Sequence, residues 1–157
     1  MKTFSLSEIK NELETLSPAR ILALCMRLLK YKKENKELLT YLLFHSHDEQ
    51  SYIKMIKNEI DEKFEEINRS NIYFIKKSIR KILRNTNKYI KYSGSPQTET
   101  ELLIYFCKKI KDSKIPLNTS TALSNLYQNQ IRKINIAVAK LHEDLQYDYK
   151  KEIEVLI

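Results

Sequence analysis

Five consecutive residues, His45-Ser46-His47-Asp48-Glu49, hold the densest set of metal-ligand and acid–base side chains in the sequence. A helix offers two ligands to one ion when they stand three or four residues apart, as in His-Glu-x-x-His. His45 and His47 stand two apart and diverge. Asp48 and Glu49 suit a helix N-terminus instead, where carboxylates meet the positive end of the backbone dipole. His142 has only Glu143 beside it, on a different helical face. Cys25 and Cys107 lie inside apolar runs, at 21–26 and 102–107, and a thiol so placed behaves as a small hydrophobe. Both are expected to be buried and reduced. No Ser/His/Asp or Cys/His arrangement follows from the spacing, so no catalytic, cofactor-binding or metal-ligating residue is assigned. The expectation is a non-enzymatic protein without a cofactor.

Glycine usage narrows the chemistry further. The 157 residues include one glycine, Gly94. Phosphate loops, dinucleotide fingerprints, kinase loops and the G-x-S-x-G elbow need several glycines for left-handed or close-approach backbone. Those enzyme classes are excluded.

Charge is where the sequence is most uneven. Segments 1–66 and 99–157 are nearly balanced, whereas 67–98 carries eight basic residues and no acid, which equals the whole formal charge of +8. At about 100° per residue, Lys77, Arg80, Lys81, Arg84, Lys88 and Lys91 share one sector of a helix, with Tyr73 among them. Phe74 and Tyr92 lie at the edge of that sector. The isoleucines and leucines of the segment fall opposite. One face is core, and the other is a basic stripe roughly 20 Å long. Two ordinary explanations compete with a binding site. A charged helix face is normally just solvated. Alternatively, the acids at 59–66 on the preceding helix neutralise the stripe, with Glu62 level with Lys77 and Glu59 level with Arg80.

The elements that position these residues are helical throughout. Ser5 with Glu8 has capping-box form and opens a first helix, with Leu6, Ile9, Leu13 and Leu16 on one face. Ser17 followed by Pro18 opens a second, to about Tyr31. A third is predicted over 34–46, and a fourth begins after Asp48. The fifth spans 71–92 and stops at Gly94. Thr98 with Glu101 predicts a capping box for the sixth, over 99–111. Residues 120–156 form one long helix or two shorter ones, with the break not placed.

About seven helices with short connections predict an all-α fold in one domain, 1–157. Leu29-Lys30-Tyr31 and Glu37-Leu38-Leu39-Thr40-Tyr41 are echoed by Ile90-Lys91-Tyr92 and Glu101-Leu102-Leu103-Ile104-Tyr105. The echo suggests a duplication, about 17–67 and 71–147, and a right-handed stacked-repeat arrangement like an α-solenoid. A compact helical bundle is the alternative. The expected function is a helical interaction or adaptor domain that binds another protein. The alternative is a nucleic-acid or other acidic partner held on the basic stripe. The N-terminus lacks a signal-peptide pattern and the longest apolar runs are six residues. A cytoplasmic location without a transmembrane segment is expected.

Overall fold

The structure, a computed structural model, describes residues 1–157 and is all-α, with eight α-helices and no strand. The helices are α1 (Leu6–Glu14), α2 (Pro18–Tyr31), α3 (Lys33–Phe44), α4 (Glu49–Glu65), α5 (Ile72–Ser93), α6 (Pro96–Asp112), α7 (Thr121–Val138) and α8 (Glu143–Glu154). A 3₁₀ turn, Leu117–Thr119, precedes α7. No helix is long and apolar enough to cross a membrane. The chain divides into two compact units, Met1–Leu43 and Phe44–Ile157.

The N-terminal unit holds α1, α2 and nearly all of α3. Its caps follow local chemistry. The Ser5 hydroxyl accepts from the Glu8 N–H, and the Glu8 carboxylate accepts from the Ser5 N–H at 2.8 Å. Ser17 caps α2 with Pro18 in its first turn. Asn35 closes the α2–α3 junction by donating its amide to the Leu28 carbonyl at 2.8 Å. Tyr41 is the single buried side chain of this unit.

The C-terminal unit contains the core. Of 28 buried apolar side chains, 27 lie between Tyr52 and Leu156. Helix α6 sits at its centre, packed by α4, α5 and α7, and Leu102, Leu103, Phe106 and Cys107 on it are wholly inaccessible. Phe64 of α4 meets Phe106 edge-on with ring centroids 5.9 Å apart, a favoured aromatic geometry. Helix α8 packs on α7, and the Tyr127 hydroxyl donates to the Leu156 carbonyl at 2.9 Å, fixing the C-terminal turn.

Several sequence expectations need correction. Of the two readings left open for residues 120–156 the two-helix one holds, with the break at 139–142 and His142 capping α8, which gives eight helices beside the about seven expected. Helix α6 is opened by Ser95 and Pro96, not by a Thr98–Glu101 capping box. Thr98 is buried, and Glu101 faces Lys57, Gln97 and Tyr149. Ser95 wins because Pro96 in the first turn is already set for the helix. Cys107 is buried as expected, but Cys25 is exposed. An apolar run around a thiol implies burial only where a second layer covers it, and α2 contains no buried residue at all.

Candidate polyanion interface

Local sequence makes α5 long and straight-sided. Asn71 caps it by accepting from the Tyr73 N–H at 2.8 Å, and Gly94 ends it at φ 67°, the left-handed turn that favours glycine. Between these, Ile75, Ile79, Ile82, Leu83, Thr86 and Ile90 are buried against the unit's interior. That burial fixes the rotation of the helix and turns the basic sector outward.

The six predicted residues are all on this outer sector. Lys77, Arg80, Lys81, Arg84 and Lys91 are exposed, and Lys88 is half-buried with its Nζ 5.1 Å from the Tyr89 ring centroid. None of the five exposed residues has a carboxylate within ion-pair distance. These five are therefore not neutralised as the sequence allowed, and neither Glu62–Lys77 nor Glu59–Arg80 forms.

Three acids of α4 and its C-cap are occupied elsewhere. Glu59 accepts from the Tyr89 hydroxyl at 2.9 Å. Asp61 accepts from the Tyr105 hydroxyl at 2.7 and 2.8 Å and pairs with Lys109 at 2.8 Å. Glu66 holds Lys63 at 2.9 Å, and this hydrogen bond with its charge raises the Lys63 ammonium above its ordinary range. Burial first, then the bond to Asp61, pushes the Tyr105 hydroxyl up to about 12. The hydroxyl therefore stays protonated and donating at neutral pH. The cavity between α4 and α5, bordered by Ile56, Glu59, Ile82 and Tyr89, has a volume of about 10 Å³. That leaves no room for a small-molecule ligand.

Two aromatic side chains flank the stripe at its N-terminal end. Tyr73 is 58% and Phe74 42% exposed, and their rings meet edge-on at 5.5 Å. Sequence placed Tyr73 within the basic sector and Phe74 at its edge, and both stand in solvent. What it missed was the tyrosines that hold the acids. Tyr89 borders the apolar sector of α5 and Tyr105 that of α6. Their roles depend on which side α4 lies, which periodicity alone does not state.

The other candidate chemistry does not converge. His45 stacks beside Tyr52 at 5.9 Å between ring centroids, while His47 is exposed. His142 lies 3.3 Å from Asp144 at the start of α8, a partner two residues on that helical spacing does not suggest. No group of three or more His, Cys, Asp or Glu side chains is arranged to hold a metal ion. Comparison with known families, with curated proteins and with solved structures gave no significant match.

Proposed function

We propose that this chain is a non-enzymatic cytoplasmic interaction protein that binds the phosphate backbone of a nucleic acid along the outer face of α5. The observation that supports this reading is the uncompensated charge. Lys77, Arg80, Lys81, Arg84 and Lys91 point to solvent with no acid beside them, while Glu59, Asp61 and Glu66 are held by other partners. Like charges this close repel one another, and a polyanion laid along the stripe relieves that repulsion while releasing its own counterions. Lysine and arginine contacts to phosphate carry no base information, so affinity follows charge more than sequence. Tyr73 and Phe74 add faces on which unpaired bases stack, favouring single strands over duplex.

Binding of labelled single-stranded and duplex oligonucleotides at two salt concentrations tests the proposal. Engagement of three to five basic residues gives a log–log salt slope of roughly −3 to −5 on duplex DNA. Arg80→Glu, Arg84→Glu and Lys91→Glu together abolish binding and leave the helical circular dichroism unchanged, since all three are exposed and project away from the buried face. Failure of the wild type to bind DNA or RNA at low salt, where such contacts are strongest, overturns the proposal. A protein-binding adaptor is the second reading. It is favoured by the N-terminal unit, which holds 12 of the 20 large apolar side chains left exposed on the chain.

A further inference from the structure

The N-terminal unit has helices without a core. Seven large apolar side chains between Phe4 and Leu28 are exposed, among them Leu6 at 86%, Leu22 at 63% and Leu28 at 60%. Together they expose the equivalent of about four whole side chains, on the order of 800 Å² of surface. Leu22 and Met26 lie on the side of α2 away from Leu24, whereas Phe4, Leu6, Ile9, Leu13 and Leu28 belong to the side that α1 and Leu24 share, and exposed apolar patches of several hundred Å² mark interaction surfaces. Between α1 and α2 the surface is concave. An open groove of about 530 Å³ is lined by Phe4, Ile9, Leu13, Leu16 and Leu24, with Glu8 and Glu12 on its α1 side.

The charges beside this face are sorted by helix. Helix α1 carries Glu8, Glu12 and Glu14 against a single Lys10, whereas α2 carries Arg20, Arg27 and Lys30 and no acid. On α2, Arg20 and Arg27 lie together along one edge of the sector that holds Leu24. Neither arginine meets a carboxylate within ion-pair distance in its own chain. A surface with an acidic helix next to a basic one, both apolar in between, is complementary to itself. A two-fold axis brings α1 of each copy against α2 of the other and makes every contact twice.

We propose that the α1–α2 face is a homodimer interface whose occupant is a second copy of this chain, with the Glu12 edge of one copy facing the Arg20 and Arg27 edge of the other. Sedimentation of the full chain over a hundredfold range of concentration then gives a species of twice the 18.7 kDa chain mass. Glu12→Arg alone, and Arg20→Glu with Arg27→Glu alone, each place like charges across both contacts and weaken association at least tenfold. An equimolar mixture of the two variants restores opposite signs at both contacts and recovers the dimer. All three positions are exposed, so unchanged circular dichroism separates lost association from lost folding. Ile9→Asp, which removes apolar contact from the groove without touching these charges, also yields monomer. A wild type that stays monomeric throughout, or that sediments as monomer while binding lipid vesicles, overturns the proposal. So does a mixture of the charge variants that fails to associate where the wild type does.

Discussion

The Tyr89 hydroxyl reaches from α5 to the Glu59 carboxylate, 2.9 Å away, and in doing so holds the acid that stands nearest Arg80 in sequence register. The same ring lies under the Lys88 ammonium at 5.1 Å. One side chain thus ties α4 to α5 from the side of the helix opposite Arg80.

Tyr89→Phe keeps the ring and removes the donor. A half-buried carboxylate that loses a charged hydrogen bond costs about 1.5–3 kcal/mol at most. The expected result is a lower urea midpoint with an unchanged m-value. Oligonucleotide affinity should stay close to that of the wild type, because Glu59 remains on α4 and the stripe residues are untouched.

Alkaline pH should destabilise the protein through its tyrosines. Tyr105, Tyr127 and Tyr149 are each pushed up to about 12, in every case first by burial. The folded state thus prefers the protonated hydroxyl. Its contribution is complete below the ordinary value of 10 and is lost as pH rises from there toward 12. Urea midpoints measured up to about pH 11 should fall, and Tyr105→Phe should lessen the fall.

The two cysteines should react at very different rates. Cys25 is exposed, whereas Cys107 is inaccessible and burial raises its thiol to about 12. At low protein concentration a thiol reagent should label one site per native chain rapidly, and the second only as the chain unfolds. Mass spectrometry of the labelled protein identifies which.

Gln130 on α7 is 4% exposed, and its side-chain oxygen has no hydrogen-bond partner, although its amide donates to the Leu126 carbonyl at 3.0 Å. An unsatisfied buried acceptor costs about 1–3 kcal/mol. Gln130→Met, similar in length and apolar at its end, should raise the melting temperature. A lower melting temperature would show that the amide bond outweighs the bare oxygen.

Much of the local structure was already decided by the sequence. Ser5 with Glu8, Ser17 with Pro18, Asp48, and Gly94 each mark a helix end as observed, since capping is settled within three or four residues. The rotation of α5 was equally readable, because an amphipathic helix has one stable way to bury its isoleucines, and that places Lys77 through Lys91 outside. Tertiary structure decided what distance along the chain conceals. Whether Glu59 meets Arg80 or Tyr89, nine residues apart and on opposite sides of α5, depends on the register and rotation in which α4 and α5 pack. Whether Cys25 or Cys107 is buried depends on the layers around each. Both lie in apolar runs, but α6 is enclosed by α4, α5 and α7, while α2 has no residue shielded from water.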